Sequence, residues 1–201
     1  MLDSGLSRSS QDTDRCWPFR SFRAALAVNL AQRTAYLALY SYLGAYLIDA
    51  YGMTVGAVAL PLTFVGIGTV VGSYVGGPVA NRKDRMPLIA ASALAGGVPA
   101  LLLFSVHLPA CAAVAMATAA VTLLSVAWPV LITFSTEVSS QSRATDVGLL
   151  GASNQSGGVG GAALGGVLLA ASGFPGVGYL SLGAAACSAV VIALFMRQPR
   201  P

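Results

Sequence analysis

A stripe of polar and aromatic residues runs along the first long apolar segment of the chain. Asn29, Arg33, Tyr36 and Tyr40 recur every three or four residues, so a helix would place them on one face. A charged side chain inside an apolar segment of membrane length is costly and usually faces a water-filled cavity or a partner. The stripe therefore predicts a cavity wall where Arg33 meets an anionic group or a carboxylate of another helix. The alternative is that Arg33 binds backbone carbonyl groups and the tyrosines only pack.

A second polar cluster, Ser153–Ser156, interrupts an apolar segment near the end of the chain. Consecutive helical residues point in different directions, so one or two of the four can reach a cavity. Asn154 is the candidate for that role, and the alternative is that the cluster only forms hydrogen bonds between helices. Trp128 is either an interfacial anchor or a cavity aromatic, and the adjacent Pro129 is expected to kink its helix.

The third chemically informative feature is a charged loop that follows the second apolar segment. It contains Gly77, Asn81, Arg82, Lys83, Asp84 and Arg85. Its positive charge is expected to orient the chain in a membrane, because cytoplasmic loops carry an excess of Lys and Arg.

Six long apolar segments must position these side chains. They span residues 24–48, 55–80, 87–106, 109–134, 146–171 and 174–196. The chain is 56% hydrophobic and 9% charged, whereas a soluble domain carries about 25% charged residues, so lipid must solvate most of its surface. A helix needs ~20 residues to cross ~30 Å of hydrocarbon, and barrel strands would instead alternate over ~10 residues. The sequence therefore predicts an all-α membrane protein with six transmembrane helices.

The positive charges predict how these helices are oriented. All Lys and Arg residues except Arg33 lie before the first segment, after the sixth, or in the connections that follow the second and fourth segments. Cytoplasmic loops carry an excess of Lys and Arg, so both termini are expected in the cytoplasm of a multi-pass protein of the plasma (inner) membrane. We expect a disordered cytoplasmic arm over residues 1–21, a six-helix domain over 22–197 and a cytoplasmic tail over 198–201.

Two of the segments carry glycines at four-residue spacing. They are Gly68, Gly72 and Gly76 in the second segment and Gly157, Gly161 and Gly165 in the fifth. Each trio lies on one helix face, where missing side chains let another backbone approach closely. The glycines predict tight packing, and they would also let these helices slide or rock against their neighbours. If the six helices form two three-helix inverted repeats, the two glycine faces have equivalent positions.

The charged loop resembles a known family motif, G-x-x-x-D-R-x-G-R-R. The major facilitator superfamily carries this motif between its second and third helices and, in weaker form, between its eighth and ninth. Gly77, Arg82 and Arg85 match it, Asn81 replaces the aspartate, and Asp84 stands where glycine is expected. The stretch from Gly161 to Gly166 is similar to the antiporter motif G-P-x-x-G-G of that family, with Ala162 in place of proline.

The resemblance extends over nearly all of residues 22–197 and implies the C-terminal six-helix half of a twelve-helix transporter. It implies an efflux- or antiporter-like transporter of small molecules that works by alternating access and is present as a half or fragment. The implied partners are the lipid bilayer, a small-molecule substrate and a second six-helix half, from another chain or in a homodimer. In that family the loop latches helices on the cytoplasmic side, with its arginine meeting carboxylates. The resemblance therefore implies that Arg82 or Arg85 meets one of the carboxylates Glu137, Asp146 and Asp84. Asn81 implies a weaker latch because it carries no charge, and the alternative is that the loop only orients the chain through its positive charge.

Other functional classes lack the residues that they need. The chain has no G-x-S-x-G motif and no Gly-Lys pair for a P-loop, and His107 is its single histidine, so we expect no enzyme, no metal site and no cofactor. The basic residues flank apolar segments without interleaved aromatics, which argues against nucleic-acid binding. The remaining alternative is a non-transporting half-size membrane protein that acts by helix association, as a homodimer or a partner subunit.

Overall fold

The computed structural model describes the backbone of residues 6–138 and 143–196, with side chains for residues 21–137 and 144–196. This part of the chain is all-helical, as the apolar segments predict. Its helices are α1 (Leu6–Tyr51), α2 (Val55–Ala80), α3 (Arg85–Ser105), α4 (Ala110–Ser125), α5 (Ala127–Val138), α6 (Arg143–Ser172) and α7 (Phe174–Phe195).

Most helix bounds follow the apolar segments. α2 has the predicted range, and α3, α6 and α7 begin and end within one turn of theirs. Glycines end two of the helices: Gly52 follows α1 with φ of 64° and Gly173 follows α6 with φ of 72°. Their N–H groups donate to the carbonyls of Ile48 at 3.0 Å and Leu169 at 2.9 Å. Glycine adopts this left-handed conformation without a steric penalty, so it closes a helix readily.

The predicted fourth segment is two helices rather than one. α4 ends at Ser125, Val126 forms a turn, and α5 begins at Ala127. Pro129 explains the break, because its ring has no N–H for the carbonyl of Ser125 and clashes with that carbonyl in a regular helix. The kink expected at Pro129 is therefore an interruption between α4 and α5.

α1 is longer than the first apolar segment. It begins at Leu6, within the stretch for which a disordered arm was predicted. Between Leu6 and Trp17 there is no glycine or proline to interrupt a helix. Residues 1–5 and 197–201, which include the predicted tail, lie outside the described part.

Within the described residues, four helical stretches are long and apolar enough to cross a membrane. They are α2, α3, Ala110–Glu137 (α4 and α5 together) and α7. α1 and α6 are long enough, but they carry the polar stripe and the Ser153–Ser156 cluster together with many glycines. These two are the helices that depend most on protein neighbours, since polar side chains in a membrane face the interior of a bundle.

The helices pair in a pattern that relates the two halves of the chain. α2 packs on α4 and α5, α6 packs on α1, and α3 packs on α7. If α4 and α5 are counted as one helix, the described helices form two groups of three. Exchanging the two groups turns the contact of α2 with α4 and α5 into the contact of α6 with α1. This is the arrangement that two inverted three-helix repeats require.

Glycines set the distance between α2 and its neighbours. A Cβ atom added at Gly72 would overlap the carbonyl oxygen of Thr122, and one added at Gly76 would overlap that of Val126. At Gly68 it would lie 2.7 Å from the Thr122 Oγ1. Only glycine permits so close an approach.

The α6 face is built in the same way against α1. A Cβ atom at Gly157 would lie 2.5 Å from the carbonyl oxygen of Leu30, and one at Gly161 would lie 2.5 Å from that of Thr34. At Gly165 it would lie 2.5 Å from Cε2 of Tyr42. Residue numbers on the two helices rise together along this contact, so α6 and α1 are parallel.

An aromatic cluster joins the C-terminal ends of α1 and α3 to the N-terminal end of α7. The Tyr46 ring lies 5.2 Å from Phe104 and 5.1 Å from Phe174 between ring centroids, and both pairs meet edge to face. Tyr51 lies edge-on to Tyr46 at 5.8 Å and stacks on His107 at 5.8 Å. Edge-to-face pairs are favoured by the quadrupoles of the rings. The sequence analysis did not predict this cluster, because its members are far apart along the chain.

The glycine contact between α6 and α1 gives a stability prediction. Gly161→Ala should lower the thermal unfolding temperature in detergent, because the added methyl overlaps the Thr34 carbonyl and overpacking costs about 1–3 kcal/mol. Gly160→Ala is the matched control, since a Cβ there meets nothing within 4 Å. Both substitutions raise helix propensity by up to about 1 kcal/mol. The difference between the two unfolding temperatures therefore measures the effect of the contact at Gly161. Equal unfolding temperatures would contradict the packing role of Gly161.

Candidate functional site

Arg33 is held by aromatic rings at the junction of α1 and α5. Its guanidinium carbon lies 5.3 Å from the centroid of the Tyr36 ring and 5.0 Å from that of Trp128. The side chain is half-buried. Among the described residues it makes no ion pair and donates no hydrogen bond to a carbonyl. Arg33 is therefore a charged group with aromatic contacts and no anionic partner.

The two ring contacts explain how the charge is tolerated. An arginine at the centre of a membrane helix costs about 2.5–3.5 kcal/mol on insertion scales. A cation–π contact stabilises the charged side chain by about 0.5–1 kcal/mol at exposed sites and by about 2 kcal/mol where water is excluded. The two contacts stabilise the positive charge of Arg33 without a carboxylate among the described residues.

Tyr36 is itself fixed from two sides. Its hydroxyl oxygen lies 2.9 Å from the Oγ1 of Thr69 in α2. Its ring stacks on Tyr40 with centroids 5.8 Å apart and planes 8° from parallel. The structure thus brings Arg33, Tyr36 and Tyr40 together, as their spacing predicts, and adds Thr69 and Trp128 from two other helices. We call these five residues the Arg33 cluster.

Trp128 belongs to this cluster because of the break in the fourth segment. α5 begins one residue before it, so Trp128 lies in the first turn of α5, directly after the turn at Val126. Of the two roles considered for Trp128, the contact with Arg33 favours the cavity aromatic. The sequence signal was the Trp-Pro pair, since proline in a membrane helix redirects the side chains around it.

Gly157 makes room for the Arg33 stem on the α6 side. A Cβ atom at Gly157 would lie 3.0 Å from the Cβ of Arg33. Such a distance is shorter than side-chain carbons normally allow, so only glycine lets α6 lie this close to α1. The glycine face and the polar stripe are therefore parts of one contact.

Asn29 has a different environment from the rest of the stripe. It is only 2% exposed, and its Nδ2 donates to the carbonyl of Leu150 at 3.0 Å and to the Oγ of Ser153 at 2.7 Å. Asn29 therefore links α1 to α6 rather than joining the Arg33 cluster. Its neighbour on α6, Asn154, has a buried Oδ1 with no hydrogen-bond partner in the described part.

α1 also makes polar contacts with α7, and the sequence analysis did not predict these contacts. Gln32 is buried, and its Nε2 donates to the Oγ of Ser188 in α7 at 3.1 Å. Ser181, also in α7, donates through its Oγ to the carbonyl of Ala35 at 3.2 Å. Small hydroxyl residues in an apolar helix commonly form such interhelical bonds, and this pattern was the available signal.

In the charged loop, Arg85 is the residue that finds a carboxylate. Its Nη1 donates to Oε1 of Glu137 at 3.0 Å, and its Nη2 pairs with the other carboxylate oxygen. Nη1 also donates to the carbonyl of Ala80 at 3.1 Å, and the guanidinium carbon lies 5.4 Å from the Phe134 ring centroid. Arg85 thereby joins the end of α2, the start of α3 and the end of α5.

The other residues of the charged loop make no such contact. Asn81, Arg82 and Asp84 are exposed, and a Cβ at Gly77 would meet nothing within 4 Å. Of the donors and carboxylates considered from the sequence, the structure brings together Arg85 and Glu137. The backbone of Asn81 caps α2, with its N–H directed to the Val79 carbonyl.

An apolar groove of the described part lies elsewhere. It has a volume of about 670 Å³ and runs between α2 and α4. Its lining is almost wholly apolar, with Phe64, Val114, Thr118 and Leu123 among its residues. Arg33, Tyr36 and Trp128 do not line it. Because recognition of a polar ligand requires a few convergent polar groups, the Arg33 cluster is the better candidate site.

Comparison with known proteins gives one family. Residues 25–201 match the family model described as Major Facilitator Superfamily. No curated protein matches the chain.

The fold is similar to two solved structures of FucP. One is a crystal structure of a variant of the E. coli fucose:proton symporter FucP, with TM-score 0.75 and 20% identity over 98% of this chain. The other shows FucP, titled a Major Facilitator Superfamily transporter, in the outward conformation, with TM-score 0.75 and 20% identity over 94% of this chain. The chain spans about half the length of these proteins, covering 46% and 45% of them.

The Arg85–Glu137 pair gives the second prediction. Glu137→Gln should destabilise the protein by about 1 kcal/mol, because a charge-assisted fork is worth about 1.5–3 kcal/mol and the Glu137 side chain is 51% exposed, which weakens it. The measurement is thermal unfolding in detergent at low and high salt. Arg82→Gln, at an exposed position of the same loop, should leave stability unchanged. A larger effect for Arg82→Gln would contradict this assignment.

Proposed function

Because the chain belongs to the Major Facilitator Superfamily, we propose that it is a transport module for small molecules. The observation that carries this proposal is the Arg33 cluster, which places a charge with no anionic partner among three helices. The module would work with a second six-helix bundle, from another chain or a second copy of this one. The substrate would bind near the midplane between the bundles, which would rock against each other in alternating access.

We propose six membrane-spanning helices, with α4 and α5 forming one span and both termini in the cytoplasm of the plasma membrane. The distribution of Lys and Arg supports this orientation. The ion pair of Arg85 and Glu137 would then lie on the cytoplasmic side. There it would serve as a latch between α3 and α5 that opens and closes as the bundles move.

Efflux by antiport is the finer proposal. Its support is the similarity of Gly161–Gly166 to the antiporter motif. The glycine faces on α2 and α6 fit it, because smooth contacts without side chains permit one helix to slide on another. The solved structures that resemble this fold belong to a protein titled a symporter, so direct measurement must decide the direction.

The orientation can be tested by labelling single cysteines. In a background with Cys16, Cys111 and Cys187 replaced by serine, Lys83→Cys should react with an impermeant maleimide only after the cells are permeabilised. His107→Cys, at the connection between α3 and α4, should react in intact cells. Both positions are exposed, so access should depend on the side of the membrane. The reverse labelling pattern would contradict a cytoplasmic location of the charged loop.

Substrate binding can be tested through Trp128. In Trp17→Phe, Trp128 is the single tryptophan, because the chain contains two. A panel of sugars, hydrophobic drugs and small amphiphiles is titrated while tryptophan emission and thermal unfolding are recorded. A bound ligand should shift the emission and stabilise the fold by about 2.7 kcal/mol at a hundredfold excess over Kd. If no class of compound does either, the transport proposal fails.

A further inference from the structure

We propose that the Arg33 cluster is an oxyanion-binding site, and that the module therefore carries substrates with a carboxylate or phosphate group. This inference rests on the proposed transport function and names its substrate class. It is carried by three observations: the unused hydrogen-bond donors of Arg33, the fixed position of its guanidinium and the absence of a carboxylate within reach.

The first observation is that Arg33 has donors without acceptors. A guanidinium presents five N–H donors in a planar fork that matches carboxylate and phosphate oxygens. The Tyr36 and Trp128 rings attract the charge through their faces, but no oxygen atom of the described residues accepts a hydrogen bond from Arg33. Arg85 is the internal comparison, since its two Nη atoms are both engaged, with Glu137 and the Ala80 carbonyl.

The second observation is that the guanidinium is held before any ligand arrives. The Arg33 stem lies against Gly157 of α6, and the Tyr36 ring beneath it is held by Thr69 and Tyr40. Trp128 contacts the guanidinium from α5. A side chain that is already fixed loses little freedom on binding, so the donors are preorganised for an anion.

The third observation is the position of the acidic residues in the described part. Asp49 lies 16 residues along α1 from Arg33, about 24 Å at the helical rise. Glu137 lies about 14 Å along α5 from Trp128 and is bound to Arg85. Asp146 lies about 16 Å along α6 from Gly157, and Asp84 precedes α3 in the charged loop. None of these carboxylates is at the depth of Arg33, so the positive charge is available to a ligand.

The experiment compares matched probes in Trp17→Phe, with Trp128 as the reporter. Benzoate and phenyl phosphate are the anionic probes, and benzamide is their neutral counterpart. We expect at least one of the two anions to change Trp128 emission until the change saturates. Benzamide should bind at least tenfold more weakly than that anion. The stronger of the two anions distinguishes a carboxylate site from a phosphate site.

Two variants assign the effect to Arg33. Arg33→Gln should weaken binding of the preferred anion at least tenfold. Arg33→Lys keeps the charge without the planar fork, so its affinity for the anion should lie between those of the wild type and Arg33→Gln. Arg23→Gln removes an equal charge from an exposed position ten residues earlier on the same helix and should leave binding unchanged. The comparison of benzoate with benzamide needs no substitution at Arg33, so it remains decisive even if Arg33→Gln does not fold.

Equal binding of benzoate and benzamide would overturn the inference, and so would anion binding that persists in Arg33→Gln. Absence of binding by either anion would also overturn it, since a carboxylate of a second bundle would then be the better partner for Arg33. In each case the transport proposal survives if a neutral compound of the wider panel shifts Trp128 emission. The two proposals therefore fail on different results.

Discussion

The rest of the structure depends on how closely α1 and α6 approach each other. In a bilayer, apolar surface gains little by leaving lipid, so helices associate through close packing and interhelical hydrogen bonds. Gly157 and Gly161 bring the α6 backbone against the backbone of α1 at Leu30 and Thr34. That contact fixes the depth and rotation of α1, and the depth and rotation of α1 decide where Arg33 lies. A glycine pattern that looks purely structural therefore determines the chemistry of the candidate site.

The two ends of the bundle are held by contacts of different kinds. At one end a charged fork between Arg85 and Glu137 joins α3 to α5 and is partly open to solvent. At the other end the rings of Tyr46, Phe104 and Phe174 join α1, α3 and α7. The Arg85 side chain is 10% exposed and that of Glu137 is 51% exposed, so water reaches the pair from the Glu137 side. The two ends therefore differ in chemistry, with a charged pair at one and packed rings at the other.

Sequence reasoning located the helices better than it located contacts between them. Hydropathy determines where a chain can cross lipid, so the bounds of α2 follow directly from its apolar run. The spacing of Arg33, Tyr36 and Tyr40 determined that they share a face. The pairing of Arg33 with Trp128 could not be derived, because it depends on the rotation of α5 after the break at Val126. The sequence analysis grouped Asn29 with the other stripe residues, whereas its hydrogen-bond partners belong to α6, whose register is set by glycine packing.

Arg33 and Arg85 differ in the groups that surround their guanidinium groups. Arg85 has a carboxylate, a carbonyl and a ring around it, and both of its Nη atoms are engaged within the described fold. Among the described residues, Arg33 has the two rings and nothing that accepts its hydrogen bonds. A side chain needed only for packing at this depth would cost less as an uncharged residue, since the two ring contacts offset rather than exceed the cost of the charge. The charge itself is therefore what the site provides, and a group from outside this bundle is what it would bind.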